Sequence, residues 1–152
     1  MTLTYITGDL FTAPRGTVLA HCISADFALG AGIAKTFDHV YNMRTKLHAY
    51  YPDYLYGDPI TERSELVGQA LLVDDVFNLV TKLKCYQKPT YDSLRDALTD
   101  MRIQMDTFFM HKVAMPKIGC GLDKLEWDRV EEIIKEVFEG TDTEITIYEL
   151  EI

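Results

Sequence analysis

The chain has 152 residues and a mass of 17.4 kDa, with 47% apolar and 26% charged residues and a net charge of −9. That length suits one domain burying roughly two-thirds of its unfolded surface. The charge works against broad electrostatic binding to nucleic acid, which normally needs a basic face, though a local cradle of backbone N–H groups can still hold an anion. No apolar run approaches the ~20 residues of a membrane span, and "MTLTYITGDL" lacks the basic start and apolar core of a signal peptide. Cys22, Cys85 and Cys120 are odd in number and form no Cys-x-x-Cys pair, so a reducing, cytoplasmic compartment is expected (nucleocytoplasmic in a eukaryote), with no metal site.

"LTYITG" (3–8) is β-rich and reads as the first strand, and the continuous apolar run "TVLAHCI" (17–23) as a strand covered on both faces. "GAGIA" follows, then a helical stretch over 33–51 that Pro52 ends. Positions 52–65 are polar, hold Gly57, Asp58 and Pro59, and read as a surface loop. "GQALLVDD" and "VFNLVTKLK" read as two strands joined by the acidic turn Asp74–Asp75. Over 90–109 Leu94, Leu98, Met101, Met105 and Phe108 form one apolar stripe, with Thr90 as N-cap and Asp92 in the first turn. "KVAMP" (112–116) is a short buried strand running into a second glycine loop, "IGCGLD". A second amphipathic helix spans 126–140 with Val130, Ile133, Ile134 and Val137 inward and Gly140 at its stop, and "TEITIYEL" (143–150) is the last strand.

Alternating strands and helices imply a mostly parallel sheet with helices on both faces, whose ligand lies beyond the carboxyl ends of the strands. Both glycine loops leave buried strands and lead into helices, so they can share one crevice and clamp a diphosphate. "GAGIA" lacks the third glycine of a dinucleotide fingerprint, and the chain has no GxxxxGK[ST] loop. Tight turns therefore remain the plain alternative for both loops. Asp9 and Asp123 read equally as caps, and Lys82 as a solvated strand end. His21 with Ser24 or Cys22 offers a conceivable nucleophilic pair, but residues this close along one strand rarely point together. His39, His48 and His111 lack metal-ligand spacing. Tyr50, Tyr51, Tyr54 and Tyr56 have no basic neighbours and read as a packed loop rather than a base stack.

Taken together, "TYITGDLF", "LAHCISADFALGAGIAKTF", "VTKLKCYQKPTYDSL", "MPKIGCGLDKLEW" and "EITIYEL" resemble, in order and spacing, a macrodomain. The resemblance runs from about residue 3 to 150 and is greatest to the branch of the terminal ADP-ribose protein glycohydrolase. It implies a single macrodomain over 1–152 with a three-layer α/β/α fold and a mixed, mostly parallel central sheet. It further implies ADP-ribose, or an ADP-ribosylated protein or nucleic-acid base, as the partner of a monomer that needs no cofactor.

By the same resemblance Asp9 looks like the acceptor of the adenine amine, with Leu10 beside it and Tyr148 and Leu150 nearby. Ser24 looks like a contact near the distal ribose. Gly30, Ala31, Gly32, Ile33 and Ala34 would form the first phosphate loop, and Lys117, Ile118, Gly119, Cys120, Gly121 and Leu122 the second. Lys82 matches the branch's nucleophile and Asp123 its acid/base group. The implied activity is hydrolysis of ADP-ribose from a carboxylate or base through a lysine adduct. That chemistry needs Lys82 neutral for part of the time, which burial favours and a nearby carboxylate opposes. The asparagine-rich loop and triple glycine of the mono-ADP-ribosyl hydrolase branch are replaced here by "HCISADFALGAGIA", and 52–65 does not match closely. Yeast-type ADP-ribose 1″-phosphate phosphatases share "GAGIA", so that activity and a non-catalytic ADP-ribose reader stand as alternatives.

Overall fold

The structure is a computed structural model and describes residues 1–52 and 63–150. Six strands form one sheet: β1 (Thr2–Thr7), β2 (Val18–Ser24), β3 (Ala70–Val73), β4 (Val76–Lys82), β5 (Lys112–Met115) and β6 (Glu144–Glu149). Their spatial order is β1-β6-β5-β2-β4-β3. Every pairing is parallel except the β3–β4 hairpin. Its turn residues Asp74 and Asp75 have φ of 52° and 61°, the left-handed pair that a two-residue hairpin requires and that Asp tolerates.

Helices α1 (Gly32–Tyr41) and α2 (Met43–Tyr50) cover one face of the sheet, and α3 (Tyr91–Thr107) and α4 (Trp127–Val137) the other. Two cores result. Leu19, Ile23, Val76 and Val80 pack with Phe37, Met43 and Leu47 beneath α1 and α2. Ala20, Phe77, Leu79 and Val113 pack with Leu94, Leu98, Met101, Ile133 and Ile134 beneath α3 and α4. Both faces of β2 and β4 are thus covered, which is why their sequences read as unbroken apolar runs.

The helix expected over 33–51 is two helices. Asn42 lies between them at φ 54°, ψ 41°, and Asp38 Oδ1 accepts from the Arg44 amide at 2.9 Å at the start of α2. Asn visits this left-handed region at low cost and so breaks the helix without glycine or proline. Over α3 the predicted cap holds: Thr90 Oγ1 accepts from Ser93 N, and Ser93 Oγ accepts from Thr90 N. Phe108 corrects the predicted stripe, for the helix ends at Thr107 and Phe108 is 57% exposed. Ala97 is buried in the stripe with Leu94, Leu98, Met101 and Met105. Within the expected 52–65 loop, Arg63–Leu66 forms a 3-10 turn with Leu66 buried. Residues 53–62, and with them Tyr54 and Tyr56, lie outside the described residues.

Candidate active site

The carboxyl ends of β1, β6, β5, β2 and β4 line one edge of the sheet, since these five strands run parallel. In spatial order that edge carries Asp9 after β1, Tyr148 and Leu150 at the end of β6, 117–123 after β5, Ser24 and 30–34 after β2, and Lys82 at the end of β4. The two glycine loops follow neighbouring strands and converge. A methyl group placed on Gly32 would stand 3.7 Å from Leu122 Cδ1.

Each loop is shaped by backbone conformations that favour glycine. Gly32 has φ +59° and opens α1, whose N-cap Ala31 offers no side-chain acceptor. The first-turn amides of Gly32, Ile33 and Ala34 therefore have neither an intrahelical nor a capping partner, and the helix dipole adds positive potential there. Gly119 has φ +73°, and a Cβ there would approach Leu125 Cδ1 to 2.8 Å. Bonds from Cys120 N to Lys117 O (3.3 Å), Lys124 N to Gly121 O (3.2 Å) and Leu125 N to Gly119 O (2.7 Å) fold the second loop. Gly121 and Leu122 stay exposed at its tip.

At the β4 end of the edge, Lys82 Nζ donates to Asp123 Oδ1 at 2.6 Å, with the two side chains only 14% and 17% exposed. The plain readings of both residues fail. Lys82 is not a solvated strand end, and the N-cap of α4 is Glu126 rather than Asp123. Cys22 lies close by, packed against the α3/α4 core, and burial, then the charges of Asp123 and Cys120, push its thiol up to about 12. It therefore stays protonated and is no nucleophile at neutral pH. His21, on the other face, stacks on Phe37 with centroids 3.9 Å apart, and its Nε2 pairs with Asn78 Oδ1 at 2.6 Å. Burial lowers it to about 4, so it is a neutral core histidine.

Other expected contacts are engaged within the protein. Asp9 Oδ1 accepts from Phe11 N at 3.0 Å, capping a 3-10 turn, and leaves Oδ2 free of that bond. Leu10 and Tyr148 are buried in the α1/α2 core, while Leu150 is exposed. Lys117 is drawn aside by an ion pair with Glu149 and lies over the Trp127 ring. Ile118 is buried in the other core, so only its backbone faces the loop. Ser24 is buried and gives its hydroxyl proton to Asp26 Oδ1 at 2.5 Å.

Asp26 was not legible as a site residue. Its Oδ1 also accepts from Ala28 N (3.2 Å) and its Oδ2 from Cys85 N (3.0 Å), which ties the first loop to the segment following Lys82. Burial alone would raise its pKa, but the bonds from Ser24, Cys85 and Ala28 outweigh that and lower it. The spacing Asp26-x-Ala28 is an Asx-turn signal that marks such a residue. Lys88 was also missed. Its Nζ donates to Leu122 O at 2.8 Å and steadies the second loop beside Asp123.

No family model matches the chain. It is 38% identical over 151 residues to the ADP-ribose glycohydrolase OARD1 of Bos taurus, covering 97% of this chain and 91% of that protein. It is 30% identical to the ADP-ribose 1″-phosphate phosphatase of Lodderomyces elongisporus, covering 88% and 91%. The macrodomain of Mycobacterium tuberculosis DarG superposes with a TM-score of 0.80 at 25% identity over 97% of each chain. This chain sets a mixed sheet between two helical layers, with two glycine loops meeting at its carboxyl edge. The chain belongs to the macrodomain family.

Proposed function

We propose that the protein is an ADP-ribose-binding hydrolase that frees ADP-ribose from a modified carboxylate or nucleic-acid base. Support comes from the relatives named ADP-ribose glycohydrolase and ADP-ribose 1″-phosphate phosphatase, and from the converging amide loops. The observation that carries the reading is the Lys82–Asp123 pair at 2.6 Å. One proton moved along that bond turns an ammonium and a carboxylate into a neutral amine and a carboxylic acid. Those are the two forms that the reaction requires.

The diphosphate rests against the amides of 30–34 and 119–122, which supply the local positive field that the net charge lacks. Asp123, as the acid, gives its proton to the ring oxygen of the distal ribose as the bond from that oxygen to C1″ breaks. Lys82 Nζ bonds to C1″, and the C1″–oxygen bond to the modified carboxylate breaks. That oxygen leaves with the bond's electron pair and takes one of the two amine protons, so that the carboxylic acid is released. The result is a protonated imine between Lys82 and C1″. Water then adds to C1″ and yields one proton to Asp123, the remaining hydroxyl proton passes to Nζ as the C1″–Nζ bond breaks with its electron pair, and the freed aldehyde closes as ADP-ribose.

Lys82→Ala is expected to abolish release from an ADP-ribosylated glutamate peptide while leaving calorimetric ADP-ribose affinity close to wild type. Wild-type turnover in that variant would end the covalent mechanism. A second reading, phosphatase action on ADP-ribose 1″-phosphate, is favoured by the yeast relative and the shared "GAGIA". It needs the same cleft but not the lysine, so phosphate release that survives Lys82→Ala would select it.

A further inference from the structure

Strand β4 carries one residue more than its neighbour can pair. Ile23 of β2 stands opposite Val80 and Ser24 opposite Lys82, so Thr81 has no partner and forms a bulge, uncommon between parallel strands. Before that point β4 alternates strictly. Phe77 and Leu79 enter the α3/α4 core, and Val76 and Val80 enter the α1/α2 core. Asn78 also faces α1 and α2, bonding His21 and Met43. Continued alternation would send Lys82 to the same side as Asn78 and Val80. Asp123 lies on the other side, in a loop whose Cys120 and Leu125 pack against the α3/α4 core. The extra residue exchanges the faces: Lys82 reaches Asp123, and Leu83, not Lys82, joins the α1/α2 core.

A bulge needs its displaced backbone groups held. Ser93 Oγ donates to the Thr81 carbonyl at 2.6 Å, a shorter contact than its alternative acceptor, Thr90 O at 3.0 Å. The same oxygen accepts from Thr90 N in the capping box of α3. One hydroxyl thus joins the start of α3 to the residue before Lys82.

We propose that Ser93 is a positioning residue for the reaction: by pinning the Thr81 carbonyl in the bulge, it keeps Lys82 turned toward Asp123. This rests on the reading of Lys82 given above, and Ser93 acts through Thr81 rather than on the substrate. The experiment compares Ser93→Ala, Ser93→Thr and Thr90→Ala with wild type and Lys82→Ala, using an ADP-ribosylated glutamate peptide. Ser93→Ala is expected to lower kcat by about 10- to 100-fold, the scale of a small misplacement of a reacting group, with KM and ADP-ribose affinity unchanged. Ser93→Thr restores the hydroxyl and most of the rate. Thr90→Ala removes the cap but not the Thr81 anchor, so it lowers the unfolding midpoint and leaves kcat intact. Ser93→Cys keeps the volume but donates weakly, and its intermediate rate covers the case in which Ser93→Ala does not fold. Wild-type kcat in the alanine and cysteine variants, or an equal loss in Thr90→Ala, would overturn the positioning role. If Lys82→Ala itself keeps turnover, the covalent reading falls and this inference falls with it. An inactive Lys82→Ala beside a fully active Ser93→Ala removes the inference alone.

Discussion

Two side chains at the carboxyl edge and one in the core show how environment assigns the roles of reactive residues here. Lys82 and Asp123 are paired and nearly buried, so neither is free to serve as a solvated charge. His21 lies a few residues from the first loop yet is sealed between Phe37 and Asn78. Its pKa is lowered to about 4 by burial, against about 6.5 in the unfolded chain. Between those values the unfolded state binds a proton that the folded state refuses. Stability from this group is therefore complete above about pH 6.5 and falls as pH drops, with about 3 kcal/mol lost by pH 4. Urea midpoints at pH 7 and pH 4.5 should fall further apart in wild type than in His21→Leu, where this one group's proton uptake is gone. Equal differences would show that His21 is not held neutral.

At the level of elements, what positions the site is a set of interruptions. Asn42 splits the first helical stretch so that Phe37 and Leu47, on separate helices, both reach the same core. Replacing Asn42 with alanine keeps the fold but places an unfavourable residue at φ 54°, a cost of about 1 kcal/mol. Asn42→Gly should be neutral or slightly stabilising. Denaturant titration of the two variants checks this, and an alanine variant as stable as wild type would mean that the junction relaxes into one helix. The bulge at Thr81 is an interruption of the same kind in a strand. It is invisible in "VFNLVTK" because that strand is covered on both faces, so its residues show no polar alternation from which a shift could be read.

For the whole molecule, a net charge of −9 and an anionic ligand are compatible because the distances are unequal. Carboxylates beyond a Debye length of about 8 Å are largely screened at physiological salt, whereas loop amides in contact with a phosphate are not. Gly121 offers a clean test. A Cβ there would meet nothing within 4 Å, and its φ lies outside the left-handed region. Gly121→Glu should therefore fold with a wild-type melting temperature, while placing a carboxylate at the loop proposed to hold the diphosphate. ADP-ribose at 100 times its Kd should stabilise the wild type by about 2.7 kcal/mol and raise its melting temperature. Gly121→Glu should show no rise. An undiminished rise would locate ADP-ribose binding elsewhere.

Local pattern and composition determined much of this protein directly. The stripe Leu94–Leu98–Met101–Met105, the Thr90 cap, the Asp74–Asp75 hairpin turn and the two glycine loops are each written in contiguous residues, so short-range sterics and periodicity reveal them. The end of α3 before Phe108 and the break at Asn42 were hidden, because each turns on one backbone conformation that several residue types can adopt. The pairing of Lys82 with Asp123, the grip of Asp26 on the Cys85 amide and the hold of Ser93 on Thr81 joined residues from different segments. Only the tertiary structure decided these, since strand order sets which loops are neighbours and a single unpaired residue sets which face of β4 a side chain meets.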